Sequence, residues 1–186
     1  MAAVARSTSA SEVQDRHFER SRLLLAAPQA LFAHLDDQTR LAGHMTRPSA
    51  MMGGGRMTYA FDSRRGMAVG SHIRMGGSAF GVTMSVEEEV TERDPPRRKA
   101  WRTIGTPQLL IVASYAMGFR IEPAGNASRL TVWIDYRLPQ GWIGRLLGWL
   151  FAGFYARWCV DRMVSDAENA FSSAAPGAEP DLGLSA

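Results

Sequence analysis

The spacing of apolar residues changes character twice along this chain. Residues 17–26 are extended and end in Leu23-Leu24-Leu25, which predicts a first strand. Ala27-Pro28 then opens a short helix whose apolar face is Leu31, Phe32 and Leu35. Asp36-Asp37 breaks that helix, and residues 39–43 make a second short turn or helix. Past Gly53-Gly54-Gly55 the period falls to two. Residues 56–62, 70–76, 81–93, 97–105, 108–122 and 129–138 read as six strands. Turn chemistry separates them at 62–66, Gly76-Gly77, Asp94-Pro95-Pro96, Gly105-Thr106-Pro107 and 123–126. From Gly141 to Phe171 the period is helical again, and Ala174-Ala175-Pro176-Gly177 stops it. Consecutive strands with short turns predict an antiparallel sheet, and the long terminal helix packs on one face of it: an α+β architecture. Residues 1–15 and 174–186 read as disordered tails around a single domain spanning 16–173.

The long helix is apolar on two sides in its first half. At 100° per residue Trp142, Leu146, Trp149 and Leu150 continue the face that Val160 and Val164 begin, so this face is expected on the sheet. Leu147, Phe151, Phe154 and Trp158 form a second stripe that needs a cover of its own. The short N-terminal helices and their loop, a second copy of the chain, or a membrane surface would each serve.

Composition narrows the class. With 186 residues, 46% hydrophobic and 21% charged, the chain is sized for one soluble globular domain. Its formal charge is +3, and Lys99 is the one lysine among 21 basic residues. That bias reads as codon usage in a GC-rich genome, and the scattered arginines do not outline a nucleic-acid module. Cys159 alone excludes an internal disulfide and reads as a packed thiol. The N-terminal residues lack an apolar signal segment, and Arg145 and Arg157 interrupt the one stretch near membrane-spanning length. The expected location is a reducing cytoplasm, peripheral to the membrane if the second stripe docks there.

Alternation within the strands selects a concave wall. Leu109, Ile111, Ala113, Tyr115, Met117, Phe119 and Ile121 share a face, as do Leu130, Val132, Ile134, Tyr136 and Leu138, and as do Met57, Tyr59 and Phe61. Tyr59, Tyr115 and Tyr136 stand out because a buried phenol needs a partner, either a neighbour or a ligand. Glu88 is the sharpest anomaly. It occupies the apolar phase of Val82, Met84, Val86 and Val90, where a carboxylate is costly unless paired or protonated. The alternative is a bulge or frayed end that returns it to solvent. His44, with Met45 and Arg47, follows the second short helix and is a weaker acid–base candidate. His72 and Arg74 point outward, and His17 and His34 show no partner in the sequence. No metal-ligand spacing, phosphate loop or nucleophile elbow is present, and no cofactor is expected.

Three stretches carry a resemblance. Ala27-Pro28-Gln29-Ala30-Leu31-Phe32 opens the first helix and Leu35-Asp36-Asp37 closes it. Glu92-Arg93-Asp94-Pro95-Pro96-Arg97-Arg98-Lys99-Ala100-Trp101 forms a hairpin, and the long helix ends the domain. Over about residues 16–173 the chain resembles the START-like or birch-allergen-like (SRPBCC) superfamily, in particular its bacterial polyketide cyclase/dehydrase and lipid-transport branch. The resemblance implies a helix-grip fold, a curved antiparallel sheet around the C-terminal helix with two short helices after strand 1. It also implies a cavity between sheet and helix for an apolar small molecule such as a lipid, quinone or polyketide. The expected lining is Tyr59, Trp101, Tyr115, Met117, Tyr136, Trp142, Leu146 and Trp149. Carriage of such a molecule is the first reading. A cyclase/dehydratase-type enzyme using Glu88, His44 or a tyrosine is the second, and a membrane-surface or dimerisation module built on the long helix is the third.

Overall fold

The computed structural model describes residues 15–38, 57–79 and 81–172. Strand β1 (Arg16–Leu24) leads into helix α1 (Pro28–Asp36), which has Pro28 in its first turn, where a missing N–H costs nothing. Six strands follow: β2 (Met57–Phe61), β3 (His72–Ala79), β4 (Val82–Asp94), β5 (Arg98–Gln108), β6 (Ser114–Ala124) and β7 (Ala127–Arg137). Helix α2 (Trp142–Ser172) closes the fold. All seven strands form one antiparallel sheet in the order β1-β7-β6-β5-β4-β3-β2. This is the helix-grip architecture that the sequence implies. The second short helix expected at 39–43 lies outside the described residues.

Two expected turns are strand instead. β3 runs through Gly76 and Gly77 to Ala79, because glycine in a strand removes side chains without breaking the ladder. β5 continues through Gly105-Thr106-Pro107 to Gln108, with the irregularity absorbed as a register shift against Ser85 and Glu87 and a positive φ of 66° at Gly105. Leu109 and Ile111 therefore belong to the connection between β5 and β6, and β6 begins at Ser114.

A second register shift sits between Val90 and Glu92. Before it the even positions Val86, Glu88 and Val90 face inward; after it the odd position Arg93 is turned toward α1. Arg93 donates to the Asp36 carboxylate at 2.7 Å, and Lys99 Nζ, opposite Arg93 on β5, donates to the same carboxylate at 2.8 Å and to the Asp36 carbonyl at 2.9 Å. This triad, with Asp36 and Lys99 buried and Arg93 at its half-buried rim, ties the end of α1 to the sheet. Burial would raise the Asp36 pKa, but the hydrogen bonds from Arg93 and Lys99 outweigh it and hold it below the usual range.

Helix α2 inverts the packing expected for its first half. The residues against the protein there are small: Gly148, Ala152 and Ala156. A Cβ on Gly148 would lie 2.8 Å from the Ile111 carbonyl oxygen, so the helix backbone rests directly on the β5–β6 connection. A backbone that close leaves no room for large side chains on the contact face, and they are displaced outward. In the second half Val160, Met163, Val164 and Ala167 are buried, and Arg20 and Arg22 of β1 pair with Asp161 and Glu168.

A candidate functional site between sheet and helix

Register alone assembles the centre of the concave face. Ile73 pairs with Glu88, Glu88 with Thr103, and Tyr115 with Tyr136, while the Thr103 hydroxyl bridges to the Tyr115 backbone at 3.2 Å. The row crosses five strands, and its one carboxyl is Glu88. The side chain is 4% exposed, so the strand keeps its phase until after Val90 and the shift comes too late to release it. Tyr115 donates its hydroxyl proton to Glu88 Oε1 in a short hydrogen bond. Burial pushes the Glu88 pKa up to about 7, against the opposing pull of Tyr115, the Trp101 indole and the Lys99 charge. A buried carboxyl poised there exchanges a proton near neutrality. Burial likewise raises the Tyr115 phenol well above its ordinary value, with the Glu88 charge adding to it.

Two apolar clusters meet at this point. Ile73, Met75, Val86 and Val90 form one beneath Tyr59, and Trp101, Met117, Phe119 and Ile134 belong to the other. Tyr115 and Leu109 touch both. The Tyr59 hydroxyl is buried and has no hydrogen-bond partner among the described residues. Its pKa is raised, first by burial and then by the Glu88 charge. From the helix side come Tyr155 and Cys159, one turn apart. The charge of an ionised Cys159, with burial, raises Tyr155, and burial pushes the Cys159 thiol up to about 12, so both stay neutral at physiological pH. The arrangement is an apolar interior face with one proton-active carboxyl, the neutral phenols of Tyr59, Tyr115 and Tyr155 around it, and at Tyr59 a buried hydroxyl without a partner among the described residues.

The expected lining divides cleanly. Tyr59, Trp101, Tyr115, Met117 and Tyr136 occupy the interior side of the sheet, with the Tyr136 hydroxyl beside Gly153 of α2. Trp142, Leu146 and Trp149 do not: they are 78%, 53% and 64% exposed, because the small-residue face of α2 takes their place against the protein. In the second stripe Leu147, Phe151 and Phe154 are exposed, whereas Trp158 is half-buried and stacked on Tyr155. His44, Met45 and Arg47 lie outside the described residues. His72 faces outward and bonds Glu87 at 3.0 Å. His17 has a partner after all: β1–β7 register sets it opposite Asp135, at 2.6 Å. His34 is no loner either, since its ring meets the edge of Phe171.

Sequence reasoning missed Tyr155 and Cys159 as site residues and the Asp36–Lys99–Arg93 triad. The signals were present. Lys99 shares strand phase with Trp101, and Tyr155 and Cys159 lie i, i+4 on the helix face that carries Ala152 and Ala156. A shallow groove of about 300 Å³ at the β2–β3 edge is lined by Asp62, Arg64, His72 and Arg74. Its cations are already matched by Asp62 and Glu87, so it makes no comparable site.

Comparison with known proteins agrees with this fold. The protein TTHA0849 from Thermus thermophilus superposes with a TM-score of 0.62 at 16% identity, over 87% of this chain and 100% of that one. A norcoclaurine synthase point mutant from Thalictrum, in complex with a transition-state analogue, gives 0.61 at 12% identity, over 87% and 97%. Major latex-like protein 151 of Panax ginseng gives 0.53 at 13%, over 83% and 97%. Such identities establish shared fold. No curated protein matches in sequence. A family model described as polyketide cyclase / dehydrase and lipid transport covers residues 15–168, and the chain accordingly belongs to that family.

Proposed function

We propose that residues 16–173 form one unit that binds a mainly apolar small molecule bearing a hydrogen-bonding oxygen, held between the sheet and α2. The observation that carries this reading is the buried Tyr59 hydroxyl without a partner, facing an apolar interior that also holds Glu88. Leaving such a group unsatisfied costs about 1–3 kcal/mol, which a ligand oxygen would recover. Met75, Val86, Met117 and Ile134 supply apolar wall, and Glu88 with Tyr115 supplies a pole able to donate or accept a proton. The family description and the fold support small-molecule binding.

Native mass spectrometry of the purified full chain tests the reading, followed by titration with oleate, a short-chain ubiquinone and emodin. Binding of at least one probe is expected, with Tyr59→Phe weakening it several-fold while the melting temperature holds or rises. Absence of any retained or added ligand, or equal affinity in Tyr59→Phe, overturns it.

A second reading rests on the Glu88 pKa of about 7, the range in which a carboxyl serves as general acid or base. In that case the bound molecule is converted by a proton transfer of the cyclase or dehydratase kind. Glu88→Gln would then abolish turnover of a bound polyketide-like probe while retaining its binding. Equal turnover by the variant rules that reading out.

A further inference from the structure

The first half of α2 presents its large apolar side chains to the outside. Trp142, Ile143, Leu146, Trp149, Leu150, Phe151 and Phe154 are each more than half exposed, while Gly148, Ala152 and Ala156 face the protein. From Trp149 round to Phe151 the exposed residues span an arc of about 200° on a helical wheel, over a length of about 20 Å. That is far larger than the scattered apolar residues of an ordinary surface.

Charge decides the occupant. Between Asp135 and Asp161 the chain has no carboxylate and three arginines, Arg137, Arg145 and Arg157. Arg137 is paired with Asp15 and Arg157 lies 5.7 Å above the Phe18 ring, whereas Arg145 has no ion-pair partner among the described residues. A second copy of the chain docked through a two-fold axis would set this cationic patch against itself. Residues 39–56 carry Arg40, Arg47 and Arg56 and no carboxylate, so that segment offers no counter-charge either. The arc is also too wide for a helix–helix seam, which uses a stripe nearer 100°. A fluid, apolar phase behind an anionic surface meets both requirements. Tryptophan favours that boundary, with its ring in the apolar layer and its N–H toward water, and arginine reaches back to the headgroups.

The geometry points to the Trp142–Phe154 part of α2 as an interfacial anchor that lies in the surface of an anionic lipid bilayer. It does not cross it: among the described residues no helix is long and apolar enough to span a membrane. The inference is independent of what the interior holds.

Flotation of the full chain with vesicles tests it, using phosphatidylcholine alone and phosphatidylcholine mixed with phosphatidylglycerol. Wild type is expected to float with the anionic vesicles, weakly with the neutral ones, and less as salt rises. Trp149→Ser/Phe154→Ser and, separately, Arg145→Glu are each expected to lower the partition coefficient about tenfold or more. Because these side chains are exposed, the variants should melt with wild type, which is checked by circular dichroism. Sedimentation is run in parallel. Failure of wild type to float, unchanged partitioning in both variants, or a dimer that the double substitution dissolves each overturns the proposal, the last by showing that a second copy covers the face.

Discussion

Glu88→Gln is the substitution whose consequence can be worked furthest. In the folded protein the carboxyl titrates near 7, while its ordinary value is 4.5. The folded state therefore holds its proton more tightly than the unfolded chain. The stabilisation is complete below pH 4.5 and is lost as pH climbs through 7, where the buried group must ionise. At about 1.36 kcal/mol per pH unit, the displacement from 4.5 to about 7 is worth roughly 3 kcal/mol. Glutamine keeps an oxygen to accept the Tyr115 hydroxyl and carries no charge to desolvate. Its stability should be flat over the same window. Urea unfolding of both proteins at half-unit steps from pH 4.5 to 8.5 isolates this contribution, because every other titrating group is common to the pair. The variant should gain on wild type by roughly 2–3 kcal/mol across the range, most steeply between pH 5.5 and 7. A constant difference, or wild type gaining as pH rises, would refute the claim that this carboxyl is buried and neutral at the lower pH.

Other perturbations read other parts of the fold. Asp36→Ala leaves the fully buried Lys99 ammonium without its counter-ion and should cost about 3–5 kcal/mol in chemical unfolding, whereas Lys99→Met leaves Asp36 paired with Arg93 and should cost less; the reverse order would contradict the triad. At Gly118 a Cβ would meet the Lys99 carbonyl at 2.6 Å and the Trp133 ring at 2.8 Å, so Gly118→Ala should lose about 1–3 kcal/mol, while Gly76→Ala, with open space around it, should be neutral or slightly stabilising in a thermal melt. Gly148→Leu should push α2 off the β5–β6 connection, lowering the melting temperature by several degrees and more than Gly141→Leu, where nothing lies within 4 Å.

Much of this protein is written in local pattern. The period-two runs and the terminal helix specify an antiparallel sheet gripped by α2, and strand phase alone puts Tyr59, Tyr115 and Tyr136 on the inner face. These are statements about which way a side chain leaves its own backbone, and a strand's alternation suffices for them. What local pattern leaves undetermined is the distance to the next element. Whether Glu88 stays inside depends on where β4 slips against β5: the shift before it is taken up by the extra residues of β5 between Ile104 and Gln108, and the next falls after Val90, two residues past it. Whether Lys99 is a surface cation or the anchor of α1 depends on Asp36 arriving from a segment 63 residues away. The face of α2 that meets the protein is chosen by how closely its backbone approaches Ile111, a contact that favours Gly148 over Trp149. Helical periodicity ranks faces by hydrophobicity, and tertiary packing ranks them by fit; on α2 the two rankings disagree, and fit decides.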